Sequence, residues 1–162
     1  MLFRSAFYFT SVEFNLEGRD YLRYGLIGYV RLEPFEKRVV LPHERTSSTV
    51  KADRLNLIKT TCANFCQIFS LYPDPRKTVL DALTDAVRDW QPDIDVTDDV
   101  GERHKLWRIV DPAITETVTR AMAGKQLFIA DGHHRYETAL NYRKWVAEND
   151  PDFSDDHPAN YV

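Results

Sequence analysis

The sequence predicts an α+β fold, and three observations carry that expectation. Paired apolar runs separated by turn chemistry open the chain. Helical apolar periodicity appears from Val50 onward and alternates with short apolar runs. A late apolar run, Leu127 to Ala130, passes directly into a helical segment through Asp131-Gly132. Antiparallel hairpins followed by strand-helix units are the sequence mark of mixed, rather than strictly alternating, architecture.

The first two runs cover 5–14 and 20–32, joined by Asn15-Leu16-Glu17-Gly18-Arg19-Asp20, and read as a β-hairpin. Gly25 and Gly28 lie inside the second run, where a glycine suggests a bend or a close backbone approach. Pro34 ends that run. Val39-Val40-Leu41 is a short strand stopped by Pro42, and a polar loop, Pro42 to Thr49, follows.

Val50 to Cys66 is expected to be a helix. Leu55, Ile58, Cys62, Phe65 and Cys66 repeat at i, i+3, i+7, i+10 and i+11, one face at helical period. Ser48 or Thr49 is suited to cap its start, and Asp53 sits early, where the helix dipole favours an anion. Both cysteines fall on the apolar face and are expected to be buried small hydrophobes. Ile68 to Tyr72 is a strand closed by Pro73-Asp74-Pro75. Arg76 to Trp90 has a helical face of Val79, Leu80, Leu83, Val87 and Trp90.

Val96 to Asp98 and Lys105 to Val110 are expected to form a hairpin around Asp99-Val100-Gly101. Asp111-Pro112 starts a helix with a capping carboxylate and a proline at its first position, and Gly124 stops it. The helix after Gly132 extends to about Ala147. The acidic stretch from Glu148 to His157 reads as a solvated loop, and Asn160-Tyr161-Val162 begins another strand. One α+β domain over 1–162 is the reading that the length supports. Because both ends fall inside apolar segments, the chain is expected to be a piece of a longer protein, truncated at one or both ends.

Composition narrows the function classes. The 162 residues are 43% hydrophobic and 28% charged, which excludes a disordered or collagen-like chain. No run approaches the roughly 18 apolar residues of a membrane helix. A formal charge of -4 argues against a nucleic-acid partner. Two cysteines are too few for a disulfide framework, and no signal-peptide pattern opens the chain, so a cytoplasmic location is expected.

Two stretches concentrate chemistry. In the first, a buried strand ends at Asp131-Gly132 and a helix opens with His133, His134 and Arg135. The first turn of a helix carries unpaired N–H groups and the positive end of the dipole, and a glycine there lets an anion approach the backbone. Two imidazoles and a guanidinium at that end call for negative compensation. Asp131 is one source, and a bound phosphate or carboxylate is another. Asp131 capping the helix, with the histidines bonded to loop carbonyls, is the structural alternative. The second stretch is His43-Glu44-Arg45-Thr46, whose imidazole, carboxylate, guanidinium and hydroxyl suit acid-base work if the loop faces the first stretch.

Adjacent helical residues point about 100° apart, so His133 and His134 cannot chelate one metal as an i, i+4 pair can. No metal site is assigned. A divalent cation is expected only as the companion of a nucleotide. Neither the Walker phosphate loop, nor the Rossmann glycine pattern, nor a Gly-x-Ser-x-Gly nucleophile elbow occurs.

Several motifs together resemble a known family. His43-Glu44-Arg45-Thr46, Asp53-Arg54-Leu55-Asn56-Leu57, Ile68-Phe69-Ser70-Leu71-Tyr72 and Ile129 to Ala139 resemble the bacterial and archaeal domain-of-unknown-function family 1015, over nearly the whole chain. Members of that family are considerably longer, and this chain resembles their middle segment. More distantly, Gly132-His133-His134-Arg135-Tyr136-Glu137-Thr138-Ala139 is similar to the phosphate-gripping motif of the ParB/sulfiredoxin-like fold. His133 stands where that motif has an acidic residue. Free serine kinases of the same fold carry an Asp-Gly-His-His-Arg motif, which is closer.

The resemblance implies a ParB/sulfiredoxin-like mixed sheet with helices packed on it. It also implies binding of ATP or ADP with Mg2+ through Asp131, Gly132, His133, His134 and Arg135. The implied activity is phosphoryl transfer to a small hydroxylated metabolite such as free serine, with a non-catalytic nucleotide-sensing module as the alternative. In that scheme His133 or His134 stabilises charge on the transferred group, and Glu44 or His43 orients or deprotonates the acceptor. Asp131 is assigned to hold a histidine tautomer or a magnesium ion. Glu44 is assigned by its character, not by alignment.

Overall fold

The structure is a computed structural model that describes residues 6–44 and 48–162. Arg45 and Thr46, expected in the polar loop, lie outside the described residues, as do Phe3 and the side chains of Ser48 and Thr49. The fold is mixed α+β, with seven strands in two sheets and four α-helices among the described residues. The chain divides into two compact units, residues 1–28 with 74–123, and residues 29–73 with 124–162.

The first unit holds a four-stranded antiparallel sheet of order β2-β1-β6-β5. β1 (Phe7–Leu16) and β2 (Arg19–Ile27) form the expected hairpin, but its turn is tighter than the composition suggested. Leu16 pairs directly with Arg19, leaving only Glu17 and Gly18 between the strands, at φ 53° and 77°. Two positive φ values in a two-residue loop make the turn that matches strand twist, and glycine meets the second at no steric cost. β2 stops at Ile27, short of the run to residue 32. Gly25 and Gly28 are places of close approach: a Cβ would lie 2.6 Å from the Thr10 hydroxyl and 2.6 Å from the Phe7 ring.

β5 (Ile94–Thr97) and β6 (Arg103–Ile109) form the second hairpin. One Asp98 carboxylate oxygen accepts from the Val100 and Glu102 amides and the other from His104 Nε2, which shapes the turn. α2 (Thr78–Val87) begins later than the apolar period indicated, because Asp74 accepts from the Thr78 and Val79 amides and fixes the start. α3 (Pro112–Met122) starts where expected, with Asp111 accepting from Ala113 and Ile114 N–H. The buried apolar side chains of this unit include Phe9, Ile109, Val79, Leu83, Val87 and Val118.

The second unit is built from two separate stretches of chain around a three-stranded mixed sheet of order β3-β7-β4. β3 (Val40–Leu41) runs parallel to β7 (Leu127–Asp131), and β4 (Phe69–Leu71) runs antiparallel to it. α1 (Ser48–Thr61) and α4 (His133–Asn149) pack on each other. Leu32, Val40, Ile129, Tyr136 and Ala139 form the core, with Phe35, Ile68, Leu127, Leu140 and Val162 against it. Each Leu, Val or Ile so buried stabilises the fold by about 1.5–3 kcal/mol. The chain end is tied in: Val30 and Val162 exchange both backbone hydrogen bonds, and Arg31 bridges Tyr161.

The cysteines correct the periodic reading. α1 ends at Thr61 because Cys62 turns into the left-handed region, φ 52°, with its N–H on the Ile58 carbonyl. Cys66 therefore lies off the helix, and both thiols belong to exposed residues instead of the core. The acidic stretch after Glu148 is likewise ordered by specific contacts: buried Asn160 donates to the Ser154 and Asp155 carbonyls. Among the described residues no helix is long and apolar enough to cross a membrane.

Candidate functional site

The candidate site lies wholly within the second unit, where two chain segments meet. β3 delivers His43 and Glu44, and β7 delivers Gly132 and the first turn of α4. Gly132 is the residue preceding the helix, at φ 98°, a conformation that L side chains rarely adopt. It makes the sharp passage from strand to helix. A Cβ here would lie 2.9 Å from Arg135 Nε, so the guanidinium rests against the glycine backbone.

His133, the first residue of α4, is almost completely enclosed, at 2% exposure. Its Nε2 accepts from the backbone N–H of His43 at 3.2 Å, and its Nδ1 lies 3.2 Å from the Glu44 carboxylate. An amide N–H only donates and a carboxylate accepts. The neutral imidazole therefore carries its proton on Nδ1 and donates it to Glu44. The His43 ring stands edge-on to it, centroids 4.4 Å apart at 87°. His43 Nδ1 donates to the Ile129 carbonyl at 2.8 Å, which leaves the Nε2 lone pair as the basic position of that ring. The Glu44 side chain is 52% exposed, so one end of this chain of groups is open to a ligand.

The charge conflict at the start of α4 is resolved inside the protein. His133 has the Glu44 carboxylate beside its Nδ1. Arg135 pairs with Asp131 at 2.5 Å and donates to the Gln67 carbonyl. The helix begins at Gly132 without a side-chain cap, and the part of Asp131 is to balance Arg135. Asp131 does not hold the His133 tautomer, which belongs to Glu44 and the His43 amide. The His134 carbonyl accepts from Thr138 at 2.6 Å. One helical turn further in, Tyr136 is buried with its hydroxyl on the Glu33 backbone.

The expected residues His43, Glu44 and His133 thus come together, and Asp131, Gly132 and Arg135 form a second group on the same turn. Gln67 and Ile129 take part through backbone carbonyls, which no residue type announces, so nothing in the sequence pointed to them. His43, Glu44 and His133 each offer a ligand atom within 4.8 Å of the others, a grouping that sequence spacing hides. The His133 hydrogen bonds weigh against three-point chelation. A metal on Nδ1 would displace its proton, and Nε2 could not accept that proton while facing the His43 N–H. The half-exposed Glu44 carboxylate and His43 Nε2 are the groups left to contact a hydrated cation.

A family model described as "Protein of unknown function (DUF1015)" matches residues 3–162. No curated protein and no solved structure matches the chain. With the family model spanning nearly every residue, the chain belongs to the DUF1015 family.

Proposed function

We propose that this domain binds a nucleotide or another phosphorylated small molecule at the start of α4, and acts as a phosphotransferase on a small hydroxylated metabolite such as free serine. The observation that carries this reading is the meeting of His43 and Glu44 with His133 at the first turn of that helix. A phosphoryl-transfer site needs donors for the phosphate oxygens on one side and an acceptor-orienting base on the other. Backbone N–H groups from Gly132 to His134, with Arg135, supply the donors. Glu44, or His43 through Nε2, supplies the base. The buried His133 serves by fixing Glu44.

Similarity of the Gly132 to Ala139 stretch to the ParB/sulfiredoxin-like phosphate motif, and of Asp131 to Arg135 to that of free serine kinases, supports the same reading. ATP or ADP with Mg2+ is the co-substrate this implies. Arg135 can exchange Asp131, 74% exposed in this pairing, for a phosphate, and the released carboxylate can face the cation.

Calorimetric titration with ATP and ADP in the presence of Mg2+, followed by transfer of labelled phosphate to free serine, tests the proposal. Arg135→Ala should weaken nucleotide binding by at least about tenfold. Glu44→Gln should abolish transfer and leave binding within about twofold. Titration curves unchanged by Arg135→Ala would sink the phosphate site. Binding without transfer to any hydroxylated acceptor would favour the second reading, a nucleotide-sensing module. That reading draws on the fact that Arg135 and Glu44 already have partners within the protein.

A further inference from the structure

The second unit contains a cavity of about 600 Å³ beside the C-terminal half of α4, with no part in the site described above. Tyr142, which lines it, lies nine residues beyond His133, about 13 Å along the helix axis. That volume suits a small organic molecule. Its body is apolar and aromatic: Ile58, Tyr142, Trp145, Val146 and Tyr161 line it. One rim carries Asp150 and His157.

The charge of the lining is set by these two groups. His157 Nδ1 accepts from the Ala159 N–H at 3.1 Å, so neutral His157 bears its proton on Nε2, 3.4 Å from the Asp150 carboxylate. The Asp150 carboxylate also accepts from the Asp152 N–H at 2.9 Å, and no lysine or arginine is among the described residues of the lining. Aromatic faces hold cations, as Lys59 Nζ does 4.6 Å from the centre of the Trp145 ring, so the end of the lining that favours an added ammonium is the one at Asp150. The Tyr142 hydroxyl is held above its ordinary value first by burial, then by its hydrogen bond to Cys62, with a smaller contribution from the Asp150 charge.

We infer that this cavity is a binding site for a small primary amine with an apolar or aromatic body. The ammonium group meets Asp150, and the body lies among Tyr142, Trp145 and Tyr161. Phosphates and carboxylates are disfavoured there, which separates this site from the anion site at the other end of the helix.

Calorimetric titration of the whole chain with 2-phenylethylamine, 2-phenylethanol and 3-phenylpropionate tests the inference, because the three probes differ mainly in the charge of the head group. The amine should bind at least about tenfold more tightly than the alcohol, and the carboxylate more weakly than either. Asp150→Asn should bring amine and alcohol within about twofold of each other. Ala63→Phe, which fills the cavity from its wall, should weaken both by at least about tenfold. Equal binding of the three probes, no binding of the amine, or amine binding indifferent to Ala63→Phe would overturn the assignment. If Asp150→Asn fails to fold, the charge series on the unaltered chain and Ala63→Phe still decide it.

Discussion

The Tyr136 hydroxyl donates to the backbone carbonyl of Glu33 and accepts from the Glu33 amide, each at 2.9 Å. One side chain thus completes both backbone hydrogen bonds of a residue 103 positions earlier, as a neighbouring strand would. The ring is buried and stacks on Phe35, centroids 5.4 Å apart. It fastens the first turns of α4 to the segment that leads towards β3, and so holds the two halves of the candidate site in register.

Tyr136→Phe should therefore be costly although it removes a single oxygen. It leaves a half-buried donor and a half-buried acceptor without their partner, at up to about 1–3 kcal/mol for each group. A loss of about 2–4 kcal/mol in urea unfolding is expected. A loss below about 0.5 kcal/mol would show that water replaces the hydroxyl without penalty.

The same hydroxyl sets an alkaline limit to stability. Burial is the main cause that raises its pKa above the ordinary 10.0, with the Glu33 charge acting the same way. A raised folded-state value favours the protonated phenol. Its contribution is complete below the unfolded value and is lost as the pH climbs through the folded value. Unfolding free energy should fall as the pH rises above the ordinary 10.0 towards the raised folded value, and Tyr136→Phe should flatten that part of the profile. Parallel profiles for the two proteins would assign the alkaline loss to other groups.

How far the sequence could be read depended on how local each determinant was. Asp111-Pro112 announced α3 because cap and first turn are adjacent. Asp131-Gly132 announced the strand-to-helix passage for the same reason. Cys62 was misplaced because apolar period says nothing about a single residue turning left-handed, and that turn exposes both thiols. The meeting of His43-Glu44 with His133 was visible in the residues only as a condition on the loop's direction. It depends on β3 pairing in parallel with β7, an arrangement fixed by two residue pairs far apart in the chain. The partners of Arg135 divide similarly: Asp131, at the end of β7, is only four residues away in the chain, whereas the Gln67 carbonyl is a backbone atom 68 residues distant.

Gly132→Ala tests the passage itself. The left-handed conformation costs a non-glycine residue about 1–2 kcal/mol. The added methyl also meets the Arg135 guanidinium, whose Nε would be 2.9 Å away. Relief requires Arg135 to leave Asp131 and Gln67. A destabilisation of about 1–3 kcal/mol is expected. Weaker nucleotide binding should accompany it in the titration that tests the phosphate site. Full stability in Gly132→Ala would mean that the turn relaxes to an ordinary conformation.

His133 offers the sharpest test of how the site is wired. Its two partners demand one tautomer, with the proton on Nδ1 facing Glu44 and the lone pair on Nε2 facing the His43 amide. Long-range nitrogen–proton NMR on labelled protein should show this tautomer for the neutral ring, with neutral His43 likewise bearing its proton on Nδ1, towards Ile129. Glu44→Gln should preserve the His133 tautomer, since the amide oxygen still accepts. His133→Ala should destabilise by about 2–4 kcal/mol, because it empties a buried site and strands the His43 N–H. Finding the His133 proton on Nε2 would reverse the polarity of the whole chain of groups. It would also free Nδ1 to bind a metal together with Glu44, and a zinc titration that shifts both histidines would then follow.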